Sequence, residues 1–299
     1  MSFLASIPSP STAAIHLGPL RVTAYGLMIA LGVTAAVELG RRRAPKRGGT
    51  ADDLSALALW GVLAGLVGAR VYHVITDLGR FRGNWIETLF VWNGGLGIPG
   101  GLIGGGLCGA WVAHRRGLRL ANAMDIVAPA IPLAQSIGRW GNWWNQELFG
   151  RPTSLPWALR IDERFRPVGY ERFTTFHPAF LYESLWNLAL CGSLLLLDRR
   201  GRTKPGQLFW LFVAGYGLGR LWIESLRIDD AFLLGGIRVN LLMSLAAVVG
   251  GLGGYIVQGR KAPKQDTDDY VDRNGGEDSD LSSPTTAYDA TGATTYPAC

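Results

Sequence analysis

The sequence predicts an all-α, polytopic membrane protein, a bundle of seven transmembrane helices with a small extracytoplasmic subdomain. Three observations lead there. Hydrophobic residues make up 48% of the 299 residues and charged residues only 17%, whereas soluble domains carry about a quarter charged residues. The apolar residues arrive in blocks of about 20, the length that crosses roughly 30 Å of hydrocarbon. Short basic clusters follow every second block.

The blocks fall at 18–39, 54–74, 91–113, 121–141, 178–197, 206–225 and 237–257. Arg41, Arg42, Arg43, Lys46 and Arg47 follow the first; Arg115, Arg116 and Arg119 the third; Arg199, Arg200, Arg202 and Lys204 the fifth; Arg260, Lys261 and Lys264 the seventh. Short basic loops are cytoplasmic, so an odd number of spans predicts an outside N-terminus and a cytoplasmic C-terminus. The loop at 75–90 holds only Arg80 and Arg82, as suits an outside loop. The segment 142–177 carries Arg151, Arg160, Arg164, Arg166 and Arg172 and is too long for a turn. It reads as an extracytoplasmic insertion in a membrane domain of residues 1–258, with a short strand at 157–161. From 259 to 299 the chain turns to Asp, Thr, Ser, Gly and Pro. Such a composition cannot bury enough surface to order itself, which predicts a disordered acidic cytoplasmic tail.

The net charge of +6 does not indicate nucleic acid, because the basic residues lie between apolar blocks and not in one aromatic-laced patch. Cys108 and Cys191 lie in apolar blocks and Cys299 is terminal, so no disulfide framework is expected. The first basic residue is Arg21, and without a basic n-region no cleaved signal peptide is predicted. No internal repeat of the transporter kind is visible. No cofactor is expected, and no His/Cys/Asp/Glu spacing suggests a metal.

Ionisable residues inside spans cost about 2.5–3.5 kcal/mol each on insertion scales and mark function by default. In the fourth span Gln135, Arg139 and Asn142 follow i, i+4, i+7 and share one helix face. In the sixth, Tyr216, Arg220, Glu224 and Arg227 form a second stripe. Tyr25 enters from the outer end of the first span. By topology the three sets meet in the outer half of the bilayer. A stabilising triad of Glu224 with Arg220 and Arg227 is the plainer reading of the sixth span alone. Two arginines with one carboxylate leave positive charge over, however, and guanidinium groups bind phosphate through paired hydrogen bonds.

The glycine run at 94–105 contains a formal G-x-G-x-x-G at Gly95, Gly97 and Gly100. No strand precedes it and a span follows, which argues against a dinucleotide site. Gly101, Gly105 and Gly109 share one face and allow close helix packing, and the Gly/Pro part before them suggests non-helical backbone lining a cavity. His177 begins the fifth span near Tyr182 and Glu183, as a capping or a site residue. His73 and His114 lie near span ends.

The run from Gly138 to Arg151, G-R-W-G-N-W-W-N-Q-E-L-F-G-R, resembles the signature G-R-x-G-N-[FW]-x-N-x-E-x-[WFY]-G-R of the phosphatidylglycerol–prolipoprotein diacylglyceryl transferases. Four other stretches agree in order: Tyr25-Gly26-Leu27-Met28; Gly-Gly-Leu-Ile-Gly-Gly at 100–105; His177-Pro178 with Leu181-Tyr182-Glu183; and Tyr216-Gly217-Leu218-Gly219-Arg220 with Glu224 and Arg227. The resemblance implies a seven-span enzyme of the bacterial plasma membrane with its site toward the outer face. Its partners would be phosphatidylglycerol, membrane lipid and prolipoprotein signal peptides bearing a lipobox cysteine. The implied products are a thioether-linked diacylglyceryl group and glycerol 1-phosphate.

On the same resemblance Arg139, Arg220, Tyr25, Asn142 and Glu224 would be catalytic. Arg227, Tyr216, Glu147, Gly150 and His177 would join Arg139, Arg220 and Asn142 in holding phosphatidylglycerol, with Glu224 and Arg227 orienting Arg220. Many members place a histidine, often proposed as the thiol's base, directly before the Gly-Gly-Leu-Ile-Gly. Here that position is Pro99, and His177, Glu224 or Tyr25 could take the role. Two other classes stand beside the transferase: an anionic-lipid transporter or flippase, and a non-catalytic lipid-binding scaffold.

Overall fold

A computed structural model describes residues 6–17, 20–90, 94–229 and 231–261, all within one contiguous unit of the chain. The helices are α1 (Ala24–Arg43), α2 (Ala51–Thr76), α3 (Ile98–Arg115), α4 (Leu120–Val127), α5 (Ala130–Gly138), α6 (Trp140–Asn145), α7 (Ala179–Arg199), α8 (Gln207–Leu226) and α9 (Val239–Lys261). Three two-stranded antiparallel pieces accompany them: β1 (Ala14–Leu17) with β2 (Leu20–Thr23), β3 (Leu159–Arg160) with β4 (Thr175–Phe176), and β5 (Leu233–Leu234) with β6 (Ile237–Arg238). The protein is thus mostly helical.

Each apolar block finds a helix, with shifted ends. The first span does not begin at 18, because 20–23 is strand β2 and helix α1 starts at Ala24. The Thr23 side chain accepts from Gly26 N at 3.0 Å and caps it, which puts Tyr25 in the first turn. Thr50 and Asp53 form a reciprocal capping box at α2. The third span's helix begins at Ile98 with Pro99 in its first turn; residues 94–97 are non-helical, and 91–93 lie outside the described residues. The fourth span is broken into α4, α5 and α6. Pro129, lacking an N–H, stands at the first break. Helix α9 continues through Lys261, so residues 259–261 are helical and not part of a tail; the remainder of the expected tail lies outside the described residues. The insertion expected at 142–177 likewise shares its first four residues with α6.

Five segments (24–47, 51–76, 120–145, 179–199 and 239–260) are long and apolar enough to cross a membrane. Leu66, Val67 and Val71 of α2, Leu102, Ile103 and Leu107 of α3, and Val249, Leu252 and Ile256 of α9 are exposed. Apolar faces of that extent suit a hydrocarbon surround, and helices satisfy their own backbone there. The chain is a multi-pass membrane protein.

Helices α3 and α8, outside the five, each lie tightly on one of them. A Cβ at Gly100 would overlap the Gly68 carbonyl oxygen, so α2 and α3 touch backbone to backbone. A Cβ on Gly217 of α8 would stand 2.7 Å from Ser244 O of α9. Small residues let helices approach this closely in lipid, where dispersion replaces the hydrophobic drive.

Charge pairs tie the opposite, basic end together. Arg43 meets Asp198 at 2.6 Å and Arg47 meets Asp125 at 2.9 Å, and Arg47 also pairs with Asp198. The Asp125 carboxylate accepts from Gly206 N (2.8 Å) and Phe209 N (3.0 Å), capping α8. Arg43 and Arg47, read from sequence as loop cations, are therefore buried ion-pair partners.

At the other end the insertion has an apolar centre of Phe149, Leu159, Ile161 and Phe176, closed by Phe180 of α7. The strand expected at 157–161 is β3, and Ile7 pairs beside it by donating to Ala158 O (2.8 Å) and accepting from Arg160 N (2.9 Å).

Candidate active site

Arg139 lies between α5 and α6 with right-handed helical backbone, φ −61° and ψ −23°. Its N–H donates to Gln135 O (3.0 Å) and its carbonyl accepts from Asn142 N (3.1 Å), so the stripe through Gln135, Arg139 and Asn142 survives the break. Arg139 Nε stands 2.6 Å from Glu183 Oε2 of α7, and Arg220 Nη1 of α8 stands 3.3 Å from Glu183 Oε1. One carboxylate therefore bridges guanidinium groups from two separate helices.

Arg220 also meets Glu224 Oε2 through Nη2 at 2.6 Å. The other oxygen of Glu224 accepts from Arg238 Nε (2.8 Å) and Asn240 Nδ2 (3.0 Å). Arg227 does not share this carboxylate: it forks onto Asp229 at 2.6 and 2.8 Å, and Arg238 reaches Asp229 at 3.5 Å. The four guanidiniums of 139, 220, 227 and 238 face three carboxylates, at 183, 224 and 229, which leaves one positive charge. The Glu183 and Glu224 side chains are 5% and 0% exposed, those of Arg139 and Arg220 21% and 16%. The carboxylates are sealed while the cations stay reachable. A guanidinium has five donors, so both arginines can hold a carboxylate and still offer N–H groups to an anion.

Asn142 Nδ2 donates to Glu147 Oε1 at 2.8 Å, and Asn145 Nδ2 does so at 3.2 Å. Gly150 N donates to His177 O (2.9 Å) and Arg151 N to Leu226 O (2.8 Å), so the run's end joins the start of α7 to the end of α8. A Cβ at Gly150 would stand 2.8 Å from His177 Cβ, so only glycine fits. Tyr25 packs on α6, where a Cβ at Gly141 would meet its Cδ2 at 2.5 Å. Tyr216 lies one turn inward of Arg220, with its ring 6.1 Å from that of Phe212 and packed on the apolar cluster of Ala128, Leu194, Leu208 and Phe212.

His177 Nδ1 is 3.1 Å from Tyr182 Oη, which accepts from Trp157 Nε1 at 2.9 Å. Burial, and then the Arg151 guanidinium nearby, hold its imidazole below the usual histidine range, so it is neutral at pH 7.

Residues 12–257 match the family model described as prolipoprotein diacylglyceryl transferase. The chain belongs to this family. A phosphatidylglycerol–prolipoprotein diacylglyceryl transferase of Frankia casuarinae is 51% identical over 253 residues, covering 83% of this chain and 61% of its own length. The protein of that name from Cutibacterium acnes is 47% identical over 264 residues, covering 87% and 89%. Number 2 of that name from Streptomyces coelicolor is also 47% identical, covering 87% and 83%.

In this diacylglyceryl transferase family member, four residues of the arginine centre received no site role from sequence: Glu183, which stood only in a stretch resembling the family, and Asp229, Arg238 and Asn240. Glu183 had a usable signal, since it is an acid in a span and meets the same rule that marked Arg139. Arg238 and Asn240 sit where β6 passes into α9, and their spacing carries no sign of Glu224.

Proposed function

We propose that this chain transfers the diacylglyceryl group of phosphatidylglycerol to the lipobox cysteine thiol of prolipoprotein signal peptides. A sulfur–carbon bond forms, the glyceryl carbon–oxygen bond to phosphate breaks, and the electron pair leaves with glycerol 1-phosphate. The observation that carries the reading is the meeting of Arg139 and Arg220 on Glu183, within a chain whose family is established by its match over 12–257. Partly exposed guanidiniums held by sealed carboxylates are preorganised for a phosphate, and they offset the negative charge that grows on the leaving group. Asn142, Glu147 and Gly150 shape the wall, Tyr25 and Tyr216 flank the lipid, and Glu224 with Arg238 aims Arg220.

The thiol's proton must also leave, from a group of pKa near 8.5. Pro99 has no basic atom to take it. Glu224 already holds Arg220, Arg238 and Asn240. His177, neutral and with Nδ1 3.1 Å from the Tyr182 hydroxyl, is the better acceptor. The setting is the bacterial plasma membrane, with seven spans, the N-terminus outside and the arginine centre in the outer half. The basic residues that end α1, α3 and α7 support that orientation.

Purified protein with phosphatidylglycerol and a lipobox peptide is expected to give a diacylglyceryl mass gain on cysteine and free glycerol 1-phosphate. Phosphate release with unmodified peptide would indicate a lipase and defeat the proposal. Arg139→Ala and Arg220→Ala are each expected to lower turnover by about 100-fold or more while the protein still inserts. Wild-type rates in both would remove the phosphate clamp.

A further inference from the structure

A cavity of about 570 Å³ lies beside the arginine centre, within the range of ligand pockets. Arg21 of β2, Glu147, Leu148, Phe165 of the insertion, Ile228 and Asp229 build its wall. The transferase reading uses Glu147 of this wall and leaves the cavity itself without a role.

Two of these wall residues touch the arginine centre directly. Glu147 accepts from Asn142 at 2.8 Å, on the stripe that carries Arg139. Asp229 binds Arg227 and, at 3.5 Å, Arg238, whose guanidinium in turn holds Glu224, the partner of Arg220. Asp229 thus belongs to both cavity and centre, and Glu147 reaches the Arg139 stripe through Asn142.

The wall is also strained. Gln146 (φ 54°) and Leu148 (φ 57°) are the only non-glycine residues with positive φ among the described residues. A leucine there is an outlier that persists only where its surroundings over-determine it, and such outliers gather at binding sites. Gln146 supplies the constraint: its amide donates to Asp162 Oδ2 (2.9 Å) and Pro10 O (3.1 Å), and its carbonyl oxygen accepts from Asp162 N (2.8 Å). The effect is to set Glu147 and Leu148 into the cavity wall.

The lining chooses among ligands. Asp229 is already held by Arg227, and Arg21 stands against Glu147 in the same lining, so the wall has no spare positive charge for a second anion such as a lipid phosphate or the released glycerol phosphate. Leu148, Phe165 and Ile228 interleaved with polar groups suit an amphipathic polypeptide instead. We propose that this cavity binds the acceptor polypeptide just past the modified cysteine, the stretch that must stay outside the membrane while the thiol enters the arginine centre. The proposal rests on the transferase reading above.

The test uses the full chain in nanodiscs containing phosphatidylglycerol, with one peptide ending at the lipobox cysteine and another extended by a further segment. Ala13→Phe adds a ring to another lining residue, and Phe165→Ala removes an apolar wall. Each is expected to raise KM for the extended peptide by about tenfold. KM for phosphatidylglycerol and turnover of the short peptide should stay unchanged. A photoreactive residue placed soon after the cysteine is expected to cross-link to the wall. Unchanged KM for the extended peptide in both variants, without a cross-link, overturns the cavity assignment and leaves the transferase intact. No transfer to either peptide by the unaltered protein overturns the functional reading and the cavity with it. If Ala13→Phe loses turnover of both peptides through misfolding, Phe165→Ala and the cross-link decide.

Discussion

Glu183 stands between Arg139 and Arg220 with its side chain almost sealed from solvent. Removing one member of a buried ionic set leaves uncompensated charge and costs about 3–5 kcal/mol. Glu183→Ala is therefore expected to lower the thermal midpoint in detergent by several degrees, at about 2–4 °C per kcal/mol. Glu183→Gln keeps the shape and some hydrogen bonding and should lose less; equal midpoints for wild type and Glu183→Ala would show that the bridge does not hold the site. His177 gives a pH prediction with a definite sign. Its folded pKa lies below the ordinary value of 6.5, so the unfolded chain binds its proton more readily. The stability it contributes is present above pH 6.5 and lost as pH falls below that. Between pH 7 and pH 5 the midpoint of wild type is expected to fall more than that of His177→Gln, and parallel falls would contradict the assignment.

At the scale of elements, the α2–α3 pair depends on glycine where backbones meet. The Gly100 position has no room for a side chain against Gly68, whereas a Cβ at Gly106 would meet nothing within 4 Å. Gly100→Val is expected to cost about 1–3 kcal/mol by overpacking, seen as faster proteolysis of the hairpin, while Gly106→Ala should be silent. That Gly101 and Gly105 face the backbone of α2 was readable from the four-residue spacing, because that spacing returns to one helix face; Gly109, third in the row, meets only the Leu57 side chain at ordinary contact distance. The tighter row of Gly100 and Gly104 was not, since which face meets a neighbour depends on the neighbour. The fourth span shows the same boundary: its apolar length was visible, but the breaks at Pro129 and at Arg139 that divide it into α4, α5 and α6 were not placed.

For the whole molecule, charge organises both ends of the bundle. Asp125, Arg43, Arg47 and Asp198 join α1, α4, α7 and the start of α8 at the basic end. Asp125→Ala strips a buried carboxylate from Arg47 and uncaps α8, and about 3–5 kcal/mol of stability should go with it. KM for phosphatidylglycerol should hardly move, because the arginine centre lies at the other end; a change in KM matching the loss in stability would refute that separation.

The helical membrane architecture, the basic end and the two polar stripes that bear Arg139 and Arg220 are legible along the chain alone. All of these follow from spacing along one chain against a helix period of 3.6 residues and a bilayer of fixed thickness. Folding alone makes Glu183 the meeting point, brings Arg238 rather than Arg227 to Glu224, and buries Arg43 and Arg47. Those contacts join residues far apart in the chain, and hydropathy does not encode which helix faces which.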